Sequence, residues 1–173
     1  WSQLTKLLSI GNLRAPKGQC HLELSDIIQN IKNTYLLLQP PRLDKEYGDN
    51  SNWIREVKQL ICHFVEDTSL ILSPKYNGMD LDYFSKIDKL SEKLGIPLSA
   101  TASPIMHKSE RRQLTDILTA IRIKKKVQHL GRDALANAEQ KMRNAKNMHS
   151  LFKKYPEAIK HVNKIAENCS FSL

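Results

Sequence analysis

Short apolar runs alternate with longer amphipathic stretches through the middle of the chain. The runs occupy residues 35–39, 69–73 and 97–101, and each is followed closely by proline. Behind each run, apolar residues recur at the spacing of one helix face. Short, continuously apolar strands that alternate with amphipathic helices are typical of a parallel sheet covered by helices. The pattern therefore predicts an α/β fold.

Helical spacing also dominates both ends of the chain. A first helix is expected around Leu7, with Gly11 as its end, and a second around Ile28, with Ser25 as its N-cap. After residue 122 the sequence is polar and basic, and two helices but no strand are predicted. Pro156 stands where the last helix begins, a position at which its missing N–H costs nothing.

Three strands are too few for a closed sheet, since a barrel takes roughly eight at the usual tilt. An open sheet has a bare edge, which proteins generally cover. The chain also begins with Trp1 rather than methionine. We therefore expect a fragment of a longer protein, whose edge is covered by a missing part or by self-association with a second copy.

Charge divides the chain into a neutral and a basic part. The net charge is +9, yet residues 1–104 hold 12 basic and 12 acidic residues, whereas residues 105–173 hold 15 and 6. A basic part predicts an anionic partner, most often nucleic acid, and the alternative is a merely soluble surface. Lys124, Lys125 and Lys126 are weak candidates for DNA contact; without an interleaved aromatic side chain, they also fit a solvated turn.

Hydropathy and the spacing of the cysteines limit the classes of protein that fit this sequence. No apolar run approaches the ~20 residues that span a bilayer, and no signal peptide is visible, so a cytoplasmic protein without membrane contact is expected. Cys20, Cys62 and Cys169 lie far apart, and no C-x-x-C motif is present. They are expected to be free, buried thiols.

Candidate catalytic groups are sparse. His107 follows the third predicted strand and is a possible metal ligand, or a residue that caps the helix behind it. Cys62 and His63 are adjacent on a helix and would not face each other as nucleophile and base. The acidic pairs Asp80/Asp82 and Glu66/Asp67 suggest paired carboxylates, although helix starts favour acids anyway. No glycine spacing matches a phosphate-binding loop.

Three stretches together resemble bacterial C-family DNA polymerases. Residues 107–122, HKSERRQLTDILTAIR, are similar to the family segment H-x-x-E-R-R-x-L-x-D-x-L-x-x-I-R. The LANAEQKM at 135–142 and the LFKKYPEAIKHVNKIAENCSFSL at 151–173 are similar to its L-x-N-A-E and P-E-A-I…I-A-E-x-C-x-F-S-L runs. With the K-G-x-C block within residues 4–27, the resemblance covers almost the whole chain and is closest to the error-prone, translesion branch.

This resemblance implies a polymerase and histidinol phosphatase (PHP) domain, which is a (βα) barrel with parallel strands. Residues 1–130 would be the C-terminal part of that domain, and residues 131–173 a helical segment leading into the polymerase module. The polymerase carboxylates would lie beyond residue 173 and the first PHP motifs before Trp1. Mg²⁺ is expected for the parent polymerase and no cofactor for this fragment.

Family members with a metal-bearing PHP site have A-T-N-D-x-H after this strand, with the Asp and His as ligands. At the matching positions this sequence has Ser103 and Ile105. A hydroxyl and an alkyl group do not replace a carboxylate and an imidazole on a divalent cation. The resemblance thus implies a lost metal site, with no catalytic residue and no metal ligand in this fragment.

The leading hypothesis is a catalytically silent scaffold within an error-prone DNA-directed DNA polymerase of DNA replication and translesion repair. The parent would contact DNA, and other polymerase or repair subunits are possible partners. One alternative is a basic DNA- or subunit-binding module formed by residues 105–173. Another, less favoured by Ser103 and Ile105, is a PHP-type metal-dependent phosphoesterase.

Overall fold

The computed structural model describes residues 1–40, 51–64 and 66–170. Its helices and strands follow the predicted order: α1 (Ser2–Arg14), α2 (Leu24–Asn30), β1 (Leu36–Leu38), α3 (Ser51–His63), β2 (Thr68–Leu72), α4 (Asp80–Leu94), β3 (Leu98–Ala100), α5 (Arg112–Ile123), α6 (Ala145–Leu151) and α7 (Pro156–Asn168). The α/β class is confirmed. Pro41 of the first proline break and residues 171–173 of the family-like C-terminal run lie outside the described residues.

The strands form a small sheet in the order β1-β2-β3. β2 and β3 are parallel, with Leu70 opposite Leu98 and Leu72 opposite Ala100. Thr68, Ser69, Leu70 and Leu72 of β2 are buried, and Ile71 between them is partly buried. Burial of both faces of the strand explains why its apolar run does not alternate with exposed polar residues.

The chain divides into two compact units, residues 1–69 and 70–173, and the boundary falls within β2. The core of the first unit is formed by Ile31, Leu60 and Phe64. Around it pack partly buried side chains of α1, α2 and β1, namely Leu7, Leu24, Ile27, Ile28, Leu36 and Leu38. The predicted apolar positions of α2 therefore point inward, whereas on α1 Leu7 does so and Leu4 and Leu8 are exposed.

Gly11 does not end the first helix, which contradicts the prediction. α1 continues to Arg14, and Gly11 is buried within it. A Cβ at this position would lie 2.5 Å from Cys20 Sγ and 2.9 Å from Leu22 Cδ2. The glycine provides space for the returning chain, so it is required by packing and not by the backbone conformation of a helix end.

The N-cap of α2 is Glu23 rather than the predicted Ser25. Asp26 completes a capping box by accepting a hydrogen bond from the Glu23 backbone N–H at 2.8 Å. Arg14 Nη2 donates to Asp26 Oδ1 at 3.1 Å. The hydrogen bond from Arg14, followed by that from the Glu23 backbone, lowers the pKa of Asp26. Asp26 thus accepts charge-assisted hydrogen bonds from both Arg14 and the N-cap backbone, and it fixes the start of α2.

In the second unit an aromatic cluster joins α4 to the C-terminal helices. Phe152 is fully buried and stacks on Phe84, with ring centroids 5.5 Å apart. Tyr155 contacts the same Phe84 ring edge-on at 5.7 Å. α7 begins at Pro156, as predicted, and packs against β3. The predicted C-terminal helices therefore share a core with the sheet.

Two expectations about burial are wrong. The three cysteines are free, but all of them are exposed. The apolar residues of α5 were expected to cover the sheet, yet Leu114, Ile117, Leu118 and Ile121 are all exposed. Ala120 is the residue of α5 that is buried, so the helix contacts the rest of its unit through a small side chain.

None of the described helices is both long and apolar enough to cross a bilayer.

Phe152→Ala should lower the free energy of unfolding by about 3–5 kcal/mol, because it removes a fully buried ring and leaves a cavity beside Phe84. Urea denaturation followed by circular dichroism measures this loss. The matched control is Leu81→Ala on α4, where the side chain is exposed and the expected change is within about 0.5 kcal/mol. Equal losses for the two variants would contradict the central role of the aromatic cluster.

Candidate functional site at the carboxyl end of the sheet

Two serines meet where β2 and β3 end. Ser73 follows β2 directly and is buried, and Ser103 lies three residues beyond β3. Their hydroxyl oxygens are 2.7 Å apart, which is a hydrogen bond. The carboxyl ends of neighbouring parallel strands lie at one edge of a sheet, where α/β proteins usually bind ligands. Here that edge is occupied by a neutral hydroxyl pair.

The backbone at Ser103 is held in the left-handed region, with φ of 44°. Its N–H donates to Thr101 Oγ1 at 3.1 Å, and the Thr101 N–H donates to the Leu72 carbonyl at 3.0 Å. A non-glycine residue in this region is under mild strain unless local hydrogen bonds hold it. The turn after β3 therefore directs the Ser103 hydroxyl towards Ser73.

A later part of the chain lies along this edge. We call residues 134–143 the tail segment. The Ile105 N–H donates to the Gln140 carbonyl at 2.8 Å, and the Met142 N–H donates to the Met106 carbonyl at 3.0 Å. Met106 and Lys141 form an isolated parallel bridge. The tail segment thus supplies backbone partners to the loop that follows β3.

Asn137 connects the tail segment to the loop after β2. Its side-chain Nδ2 donates to the Tyr76 carbonyl at 2.6 Å, and its Oδ1 accepts from the Glu139 N–H at 3.0 Å. The Tyr76 hydroxyl in turn donates to the Ala102 carbonyl at 3.3 Å. One amide and one phenol thereby tie together both strand-end loops and the tail segment.

Charged side chains of the tail segment lie beside the same strand-end loops. Arg143 lies over the Tyr76 ring, 5.3 Å from its centroid, and donates to Glu139 Oε2 at 2.7 Å. The hydrogen bond from Arg143 lowers the pKa of Glu139. Lys141 Nζ donates to Ser109 Oγ at 2.8 Å. These side chains are engaged in binding one part of the chain to another.

The carboxylates of Asp80 and Asp82 both have structural partners. Asp80 accepts hydrogen bonds from the Lys75 and Tyr76 N–H groups, at 2.6 Å to Oδ1 and 3.1 Å to Oδ2, so it holds the loop before α4. Asp82 pairs with Lys86 at 2.8 Å. Of the other acidic candidates, Asp67 accepts a bond from the Leu36 N–H through its backbone carbonyl. Asp80 and Asp82 therefore do not act as a pair in this structure.

Neither Cys62 nor His63 is part of a shared site. Cys62 is exposed, and His63 Nδ1 lies 2.9 Å from the carbonyl of Gln59, one turn earlier on α3. Adjacent helical residues point in different directions. The sequence argument against a nucleophile and base at these positions agrees with this geometry.

The positions expected to have lost metal ligands hold a hydroxyl and an alkyl group, with one imidazole nearby. Ser103 Oγ is engaged with Ser73, Ile105 is an exposed alkyl side chain, and His107 is exposed nearby. Across residues 1–40, 51–64 and 66–170, no three His, Cys, Asp or Glu side chains are grouped as they would be around a metal ion. Divalent cations need several such ligands, so the donor set present does not fit one.

The three candidate lysines for DNA contact lie at the end of α5. Lys124 ends this helix in the left-handed conformation, with φ of 55°. All three side chains are exposed, and Lys125 forms an ion pair with Asp133 at 2.7 Å. This geometry fits both the solvated turn and the DNA contact that the sequence left open.

Sequence reasoning did not single out Tyr76, Asn137 or Arg143 as site residues. Asn137 and Glu139 stand in the family-like L-x-N-A-E motif, which was a usable signal for their position. Their role was not visible, because Asn137 acts on a carbonyl 61 residues away in the chain. Only the fold brings these groups together.

Comparison with known proteins relates the whole chain to one group of polymerases. No protein-family model matches it. The chain is 32% identical over 174 residues to an error-prone DNA polymerase of Ruegeria pomeroyi and 34% identical over 173 residues to that of Sinorhizobium medicae. The corresponding protein of Caulobacter vibrioides is 30% identical over 174 residues. Each match covers 100% of this chain but only 15% or 16% of the relative.

The chain is therefore a segment of the C-family DNA polymerase class, as the resemblance in its motifs indicated. Within that class it corresponds to a segment of the error-prone DNA polymerases.

Asn137→Ala should release the tail segment from the strand-end loops, because it leaves the Tyr76 carbonyl and the Glu139 N–H without their partner. We expect a loss of about 1–3 kcal/mol and faster amide hydrogen exchange across residues 134–143. Asn163→Ala on the exposed side of α7 is the matched control and should leave exchange unchanged. Unaltered exchange in the Asn137 variant would show that the segment is held by other contacts.

Proposed function

We propose that this chain is a PHP-type segment of an error-prone DNA polymerase, and that it serves there as a structural scaffold without catalysis of its own. The parent protein would be a DNA-directed DNA polymerase acting in replication and translesion repair synthesis. Its polymerase chemistry, including the Mg²⁺ that such chemistry requires, would reside in parts of the parent outside this chain.

The observation that carries the proposal is the state of the strand-end edge. The edge has a Ser73–Ser103 hydroxyl pair, and the tail segment occupies its backbone hydrogen-bonding groups. An active hydrolytic site would need charged ligands and an open position for water. A partly buried, hydrogen-bonded junction between loops and tail suits a scaffold that holds one part of the parent against another.

A PHP-type phosphoesterase is the less supported alternative. We propose that the segments surrounding this chain, together with other polymerase or repair subunits, are its working partners in the bacterial cytoplasm. Residues 1–130 and 131–173 would then be the end of the PHP domain and the entry to the polymerase module.

The chain should bind no stoichiometric Mn²⁺ or Zn²⁺ and should hydrolyse neither phosphomonoesters nor DNA. His107 is the one ligand-type side chain at residues 103–107, and a single imidazole does not hold such a cation. Elemental analysis after dialysis and a phosphatase assay with added metal test this expectation. Stoichiometric metal that is lost in His107→Ala would overturn the silent-scaffold proposal and favour the phosphoesterase.

DNA contact through the basic part is a second candidate function, favoured by one specific observation. The 15 basic and 6 acidic residues of positions 105–173 include Lys124 and Lys126, which are exposed beside each other at the end of α5. A surface of this kind attracts phosphates without reading sequence. In the parent polymerase it would add affinity for the template.

Replacing Lys124, Lys125 and Lys126 together with Gln should weaken duplex DNA binding and flatten its salt dependence. Each lysine that contacts a phosphate contributes about 0.9 to the slope of log K against log salt. Fluorescence anisotropy at several salt concentrations measures the slope. The control replaces the exposed Lys6, Lys17 and Lys32 with Gln, which removes equal charge elsewhere. Identical slopes for both triple variants would exclude a specific role of the α5 lysines.

A further inference from the structure

The exposed face of α5 is a continuous apolar stripe. Four large side chains, Leu114, Ile117, Leu118 and Ile121, have 44–68% of their surface exposed. They recur at i, i+3, i+4 and i+7, which places them along one side of the helix. This spacing is the one by which amphipathic helices anchor to each other. An exposed stripe of this kind on a folded unit marks an interaction surface.

The stripe continues into an open groove of about 470 Å³ at the C-terminal end of α5. Its walls include Ile117, Ile121 and Val127, and Lys124 and Lys126 stand at its rim. Val127 is itself 46% exposed. The surface therefore combines apolar walls with exposed lysine side chains at one end.

The charged residues at the two ends of α5 indicate which kind of partner fits the apolar stripe. At the start of α5, Arg111 is exposed, and Arg112 already pairs with Asp116. At its end stand Lys124 and Lys126. The exposed Glu110 precedes Arg111, so the start of α5 is close to neutral, whereas its end is positive. Two copies packed in parallel would place their lysines together, and two antiparallel copies would offer the lysines one carboxylate beside one guanidinium. An acidic helix would neutralise the lysines better than either arrangement. The phosphates of DNA would pair with the lysines, but the polar DNA backbone would not cover the apolar stripe.

We propose that the α5 face is the docking surface for an amphipathic helix of a partner protein that carries acidic residues beside its apolar stripe. Its leucine- or isoleucine-type side chains would pack on Ile117, Ile121 and Val127. Its carboxylates would lie near Lys124 and Lys126. α5 has 12 residues, so the complementary helix would have about three turns in contact. This surface is separate from the strand-end edge and extends the proposed function to an interaction with another protein.

The experiment uses the whole chain and a designed peptide of about 18 residues as the probe. The peptide has leucines at i, i+3, i+4 and i+7 and glutamates on the flanking positions, and it carries a fluorophore for anisotropy. A second peptide of the same pattern has lysine in place of every glutamate. We expect the acidic peptide to bind at least about tenfold more tightly than the basic one.

Two variants of the chain test the two halves of the surface. Ile121→Asp should weaken binding of the acidic peptide by about tenfold or more, and Lys126→Glu by about threefold to tenfold. The controls are Leu81→Asp, which changes a 69% exposed apolar residue on α4, and Lys154→Glu, which makes the same charge change after α6. Both controls should bind like the unaltered chain. Unchanged circular dichroism shows that each variant is folded.

Three outcomes would overturn the proposal. Equal binding of the acidic and basic peptides would remove the role of charge. Unaltered binding by Ile121→Asp would place the peptide elsewhere. A dimer of the unaltered chain that dissociates in Ile121→Asp during sedimentation, with no peptide binding, would identify a second copy as the occupant.

Discussion

The hydrogen-bonding requirement of the backbone at the carboxyl ends of β2 and β3 shapes the second unit. Strand-end carbonyl and N–H groups that leave water need new partners. Asn137 supplies one for Tyr76, and the backbone of Gln140 and Met142 supplies others for the loop after β3. Because these partners come from the tail segment, the tail becomes part of the unit that contains the sheet. The packing of Phe152 on Phe84 and of α7 on β3 completes the same junction.

The use of neutral side chains at the strand-end edge is consistent with the packing of the tail segment against it. Ser73 is buried, and a carboxylate beside it would need a cation or several donors to offset its desolvation. Two neutral hydroxyls satisfy each other at 2.7 Å and need neither. A scaffold can therefore keep the strand-end geometry of an α/β site while using neutral groups. The charged pair nearby is formed by Arg143 and Glu139, and the largely buried Arg143 side chain connects the tail to the Tyr76 ring.

α4 and α5 show how one sequence pattern leads to two different surfaces. On both helices apolar residues recur at intervals of three or four residues. On α4 these include Phe84 and Ile87, which are buried. On α5 they are Ile117, Ile121 and their neighbours, which are exposed. Periodicity identifies an apolar face, but the position of the helix decides whether that face meets the core or is left for a partner.

The sequence by itself determined the order of helices and strands, the α/β class and the family, because hydrophobic periodicity and motifs are local properties of the chain. Strand positions near Leu70 and Leu98 and the start of α7 at Pro156 were predicted for that reason. The packing of Gly11 inside α1 and the role of Asn137 were decided by tertiary structure. Each depends on groups distant in sequence, since Cys20 and Leu22 crowd Gly11 and Tyr76 accepts from Asn137. Such contacts cannot be predicted from local sequence patterns, because they form only when the folded chain brings distant residues together.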